Sequence, residues 1–222
     1  RGGPPPRLNV GPMPPIPQSE TTISRIYRDY QERENGRPRA HLGASLIGRP
    51  CEREAWYAFR WALYPDYEGR LLRLFDRGKR EEPAFIHDLR AAGVTVHAVD
   101  PATGRQFTFS DLGGHFGGSM DGAAVGLAEA PKTWHVLELK MHSAASFAAL
   151  AKDGVENAHP EHFAQMQMYM GWSAMDRAYY LAVNKNTDDL YGERIAFDRA
   201  AFEKLRERAR RIVFASEPPP RI

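Results

Sequence analysis

Residues 119–122, SMDG, and residues 133–140, TWHVLELK, decide how this chain is read. The second stretch alternates and is the strongest strand in the sequence. Side chains on a strand point to opposite faces in turn. Glu138 and Lys140 therefore project to one side, while Leu137 and Leu139 project to the other and can enter a core. Two charged groups held between buried leucines are costly unless they are solvated, paired or bound to a metal. Asp121, followed by Gly122, lies in a strand or turn just upstream. If that segment pairs with residues 133–140, the Asp121 carboxylate converges on Glu138. Two such carboxylates repel each other unless a cation lies between them. A hard divalent ion with oxygen ligands suits them: Mg2+, with Mn2+ possible in its place. Lys140 beside them can orient a water or stabilise charge on a phosphate. An E-x-K pair on a strand is also often no more than a solvated face.

Outward from this centre, the pattern is helical, then strand-rich, then helical. A helix is expected from about Thr22, with Ile23, Ile26 and Tyr27 on one side, and another through REAWYAFRWAL (53–63). A third carries Leu71, Leu72, Leu74, Phe75, Phe85, Ile86 and Leu89. Gly93 is its expected C-cap, and Pro83 predicts a kink or a fresh start within it. VTVHAV (94–99) and RQFTFS (105–110) alternate as strands, and the glycine-rich residues 114–126 could hold another. HPEHFAQMQMYMGW (159–172) reads as a helix with Pro160 in its first turn. RAYYLAVNK (177–185) and LYGERIAF (190–197) form a closing strand pair, and a last helix begins at the capping residue Asp198. The expected class is α/β, a central mixed β-sheet flanked by helices.

The 222 residues suffice for one good-sized core. Residues 1–19 are expected to be a flexible Pro-rich tail, whether native or tag-derived, residues 20–216 a single domain, and residues 217–222 a second tail. No apolar run is long enough to span a bilayer, and the N-terminal residues lack a secretory pattern, so a cytoplasmic protein is the expectation. The single cysteine, Cys51, cannot by itself form an internal disulfide or hold an iron–sulfur cluster, and is read as a small buried side chain. The net charge of +2 neither announces nor excludes nucleic-acid binding, because local basic patches can hide in the total.

Two further stretches matter. In RGKREE (77–82), Glu82 places a carboxylate on a helix ahead of the sheet, although a mixed-charge surface helix would look the same. In AQMQMY (164–169), Gln165 and Tyr169 share a helical face. They could bind a phosphate or a metal-bound water, or that face could simply be wet. Phe163, Met166 and Met170 form the apolar side.

The order helix Glu, hairpin Asp, strand E-x-K and helix Q-x-x-x-Y resembles the phage-type, lambda-exonuclease-like and RecB-like branch of the PD-(D/E)XK nucleases, from about Leu42 to Ile195. The resemblance implies a restriction-endonuclease-like core in which Glu82, Asp121, Glu138, Lys140, Gln165 and Tyr169 are the catalytic residues. It implies one or two Mg2+ ions held by Glu82, Asp121, Glu138 and the carbonyl of Leu139. In HLGASLIG (41–48), Ser45 matches a residue that holds a terminal DNA phosphate, with Arg37 or Arg39 as its basic partner. The function implied is 5′-to-3′ digestion of double-stranded DNA ends in phage-type recombination or repair. A single-strand-annealing recombinase is the usual partner, a trimer the usual ring, and a bacterial host with a phage or prophage gene the usual setting. Two departures bear on this. Many RecB-like relatives carry a histidine in the first motif, whereas His87 here lies five residues past Glu82. The lone cysteine argues against the iron–sulfur relatives. An endonuclease, a single-strand nuclease and a non-catalytic DNA-binding protein with a degenerate nuclease fold are the alternatives.

Other residues have plainer readings. His142 could touch a substrate phosphate or serve the fold. His159 and His162, three apart with no H-E-x-x-H pattern, are read as capping and surface residues. GGHFGG (113–118) fits no phosphate-loop spacing and is read as a hairpin that lets backbone approach the site. Arg206, Arg208, Arg210 and Arg211 are read as a solvated face neighboured by Glu203 and Glu207, with DNA phosphates as the other option. Trp56, Tyr57, Phe59 and Trp61 are read as core, with one ring able to stack on an unpaired base.

Overall fold

A computed structural model of the chain describes residues 20–34, 39–63 and 66–221. The expected N-terminal tail and Arg37 lie outside these residues. Among the described residues, seven α-helices surround two mixed sheets. The larger sheet runs β2(Thr95–His97), β5(Gly122–Val125), β6(His135–His142), β7(Arg177–Asn184) and β8(Leu190–Ala196), in that spatial order. Only the β6–β7 pair is parallel, with Glu138 opposite Tyr180; its other pairs are antiparallel. The smaller sheet has the order β1(Leu42–Gly43), β4(Phe116–Ser119), β3(Thr108–Asp111).

The glycine-rich stretch therefore contains two strands, one in each sheet, and the chain crosses between them at Met120 and Asp121. Glycines permit this crossing. A Cβ on Gly117 would stand 2.3 Å from the Phe109 carbonyl oxygen, and one on Gly118 would stand 2.9 Å from the Tyr169 hydroxyl. The expected approach of backbone to the site is thus an approach to Tyr169.

The faces of β6 separate as the alternation requires. Leu137 and Leu139 pack with Phe85 and Leu89 of α4(Gly69–Ala91). Val136 belongs to the opposite core, with Tyr180 and with Met166, Met168 and Met170 of α6(Pro160–Ser173). Helix α4 runs without a fresh start through Pro83. Pro83 lies on the exposed side, where the carbonyl that its missing N–H leaves unbonded can meet water. Gly93 follows the helix at φ 87°, and Val94 N–H returns to the Leu89 carbonyl at 3.0 Å, which closes the end as expected. Asp198 caps α7(Arg199–Phe214) by accepting from Ala200 N–H and Ala201 N–H. Two helices were not expected, the short α2(Ala44–Ile47) and α5(Ala144–Ala158), the latter capped by Ser143 and bent at Gly154.

Three readings of side chains change. Cys51 is partly exposed and caps α3(Glu52–Phe59), its sulfur accepting from Glu54 N–H. A thiol at a helix start has a backbone donor to satisfy, and that fixes it near the surface. The arginines of α7 are not a merely solvated face. Arg208 donates to the carbonyls of Ile47 and Pro50, and Arg211 pairs with Glu52 at 2.9 Å; only Arg210 pairs with Glu207. Arg206 grips Asp111 with two nitrogens, at 2.6 and 2.9 Å. Trp61 is also not core: 56% of it is exposed.

The Asp111 carboxylate also accepts from Leu112 N–H and from the Trp172 indole, so it ties the small sheet to α6 and α7. The Arg206 guanidinium holds its pKa down from 3.8 to about 2. A carboxyl with a depressed folded pKa stabilises above its unfolded value, and that stabilisation is lost as pH falls through the folded value. Asp111→Asn should cost about 1–2 kcal/mol at neutral pH, discounted because Arg206 is part-exposed. The difference from the parent should close between about pH 4 and pH 2 in denaturant unfolding, the window set by that pKa shift.

Candidate active site

Three elements meet around Glu138. Strand β6 supplies Glu138 and Lys140, the crossing between the sheets supplies Asp121, and α6 supplies Gln165 and Tyr169. Glu138 is fully buried. One of its oxygens pairs with the Lys140 ammonium, and the other accepts from the Gln165 amide at 3.4 Å. Gln165 also donates to the Tyr169 hydroxyl at 3.1 Å. Gln165 and Tyr169 are buried side chains at a cavity wall and not part of an exposed polar face. Asp121 Oδ2 accepts from Leu139 N–H at 2.8 Å. This bond fastens the crossing to the central strand. Lys140 lies 3.3 Å from the Leu139 carbonyl oxygen and keeps a quarter of its side chain exposed.

Charge in this cleft is unbalanced. Burial pushes the Glu138 carboxyl up to about 7, with the Asp121 and Glu82 carboxylates adding to the rise and Lys140 opposing it. Burial and then Asp121 also raise Glu82, against Lys140 and Lys79. Burial alone would lower Lys140, but the surrounding carboxylates outweigh it and raise it. Three acids thus face two ammonium groups, and two of the acids hold their protons more tightly than usual. A hard divalent cation would relieve this excess. The donor set fits one: oxygens from Asp121 and Glu138 and the Leu139 carbonyl, with Glu82 at the rim. The three carboxylates do not form a tight triad; among the described residues the only such set is His159, Glu161 and His162.

Two cavities open onto the cleft, of about 560 and 410 Å3. The first is lined by Arg39, Ser45, Glu82, Gln165 and Tyr169, the second by Lys140, Leu139 and Lys185, and Glu82 and Lys79 border both. The resemblance-derived Ser45 and Arg39 thus share a wall with the helix residues. Lys79, His41 and Gln106 were not anticipated. The signal for Lys79 was its spacing of three from Glu82, which places both on one side of α4.

Among the histidines, His142 takes the second of its two expected roles, and His159 and His162 depart from expectation. His142 is buried, and its two ring nitrogens meet Ser146 Oγ at 2.8 Å and Tyr180 Oη at 2.7 Å, so it serves the fold. Burial, with help from His159 and Lys140, lowers its pKa to about 4. His159 and His162 are not surface residues: only 15% and 19% of their side chains are exposed. His159 stands where a cap would, but its side chain does not cap.

No protein-family model matches the chain, and no curated protein matches it. Solved structures do. An alkaline exonuclease from Laribacter hongkongensis matches with a TM-score of 0.55 at 17% identity, over 83% of this chain and 90% of that one. This chain has the fold of that exonuclease. A structure of LHK-Exo in complex with dAMP matches with a TM-score of 0.51 at 15% identity, over 85% of this chain and 89% of the other. The restriction-endonuclease-like core implied by the motif order therefore agrees with the fold of exonuclease structures, and the mixed sheet flanked by helices is as expected. Among the described residues, no helix is long and apolar enough to cross a membrane.

The Glu138–Lys140 pair has a testable energetic signature. Glu138→Leu alone should cost about 1–3 kcal/mol, less than for a fully buried partner because Lys140 reaches solvent. The double variant Glu138→Leu/Lys140→Met should recover to within about 1 kcal/mol of the parent in urea unfolding. A double variant as unstable as the single one would mean that the pair itself holds the fold.

Proposed function

We propose that this chain is a divalent-metal-dependent deoxyribonuclease that hydrolyses phosphodiester bonds at DNA ends. The observation that carries the reading is the convergence of Asp121, Glu138 and Lys140 with Gln165 and Tyr169 beside a cavity bordered by Glu82, Arg39 and Ser45. Its support is chemical. The buried Glu138 carboxylate beside the part-buried Asp121 and Glu82 suits Mg2+ or Mn2+, and the basic groups at the cavity wall suit a phosphate. The fold likeness to an alkaline exonuclease, and to a structure of LHK-Exo holding dAMP, favours end digestion of DNA over the alternatives.

In this mechanism Asp121, Glu138 and the Leu139 carbonyl would hold the cation, with Glu82 available to a second. Bound there, it would supply Lewis-acid activation of the phosphate and of the attacking water. Lys140 positions the nucleophilic water and offsets charge on the phosphate. Gln165 holds the Glu138 carboxylate in place and reaches toward the same site, with Tyr169 fixing its amide. Arg39 and Ser45 receive a terminal phosphate. Digestion of duplex ends in the 5′-to-3′ direction, a strand-annealing partner and a trimeric ring are the specific forms that the motif resemblance implies.

Lys140→Ala should lower cleavage by about 10²- to 10⁴-fold while DNA binding persists, since Arg39, Ser45 and Lys79 remain. End-labelled linear DNA should be degraded in Mg2+, closed circular DNA should not, and a chelator should stop the reaction. Attack on the circle would replace the end-dependent reading with an endonuclease. An unaltered rate in Lys140→Ala would remove the assignment of this site.

A further inference from the structure

A second constellation lies where α5 meets α6, outside the nuclease cleft and independent of its reading. His159, Glu161 and His162 bring one ligand atom each to within 4.8 Å of one another. His159 Nδ1 is 3.6 Å from Glu161 Oε1, and His162 Nε2 is 4.0 Å from the same oxygen. The two imidazole rings stack at 5.0 Å. Ligand atoms around a tetrahedral zinc ion, about 2.0–2.2 Å from the metal, stand roughly 3.4 Å apart, so modest side-chain movement would close the set.

The outer nitrogens are already anchored. His159 Nε2 contacts Ser146 Oγ at 3.2 Å, and His162 Nδ1 contacts Tyr180 Oη at 2.9 Å. His142 bridges those two hydroxyl groups, with its nitrogens 2.8 and 2.7 Å from them. Each imidazole thus has one nitrogen held by a hydroxyl and the other turned toward the carboxylate. Metal-binding histidines are oriented in this way, by a hydrogen bond from the nitrogen that does not ligate. Tyr180 is fully buried on β7 and Ser146 belongs to α5, so three elements fix the two rings.

We propose that His159 Nδ1, His162 Nε2 and the Glu161 carboxylate form a binding site for a transition-metal cation of the zinc type, with one coordination position left to solvent. Two neutral imidazoles and one carboxylate favour zinc over magnesium, which prefers oxygen ligands and gives up its water reluctantly. The N-terminus of α6 and the Lys140 ammonium disfavour any divalent cation there, so binding depends on the two imidazoles and the carboxylate outweighing that field. Bound metal would pin the start of α6 to α5 and, through Tyr180, to the central sheet.

The test is equilibrium dialysis of the whole chain against Zn2+ with excess Mg2+ to occupy the carboxylate cleft, repeated with Co2+ to read the coordination geometry by visible absorption. The wild-type chain should bind one Zn2+ and give the intense absorption of tetrahedral Co2+. Glu161→Gln, a part-exposed and conservative change, and His159→Ala should each weaken binding at least tenfold, with circular dichroism confirming the fold. Asp121→Asn should leave Zn2+ binding unchanged. The proposal is overturned if the wild-type chain takes up no Zn2+, if both substitutions leave uptake intact, or if uptake vanishes with Asp121→Asn instead.

Discussion

A carboxyl group cut off from water at the middle of a sheet needs compensating partners, and two of the three elements around Glu138 supply them. Its own strand supplies an ammonium two residues on. Helix α6 supplies an amide, itself steadied by a phenol. The strand crossing supplies no compensation but a second carboxylate, anchored by Leu139 N–H. On the other face of β6, Leu137 and Leu139 are buried against α4. The large sheet therefore carries an apolar core on each face, with the Glu138 cluster as a polar inclusion on the face that holds Val136 and Tyr180. The residual negative charge around Glu138 is the physical basis of the metal site proposed there.

Much of this was legible because charge placed against period is informative. The alternation of residues 133–140 fixed which side chains share a face, and β6 follows it. Asp198, Pro160 and Gly93 marked helix ends by local chemistry that needs no tertiary context. The motif order brought Asp121, Glu138, Lys140, Gln165 and Tyr169 to a common region, and they do gather there. Glu82 belongs to the same cleft through its electrostatics and the cavity walls rather than through a close contact.

What could not be read depended on long-range partners. Helix α5 is rich in alanine, which favours a helix without stamping an apolar period on it. The small sheet starts from a two-residue strand, too short to have a pattern. Arg206 and Arg208 look like solvated charges until Asp111 and the carbonyls of Ile47 and Pro50, more than ninety residues away in sequence, are in place. The surface reading of His159 and His162 failed for the same reason. His142, His159 and His162 are joined through Ser146 and Tyr180, and no spacing along the chain announces that network.

Helix α6 has a consequence for how this sequence can vary. His162, Gln165 and Tyr169 descend one side of a single rigid rod at intervals of three and four residues. Inserting or deleting one residue between His162 and Gln165 would turn everything beyond it by about 100°. The amide and the phenol would then swing away from Glu138 while the histidines stayed behind. Residue identity along this rod can drift wherever chemistry tolerates it, but its length between those positions is frozen, and length variation in the protein belongs in the turns.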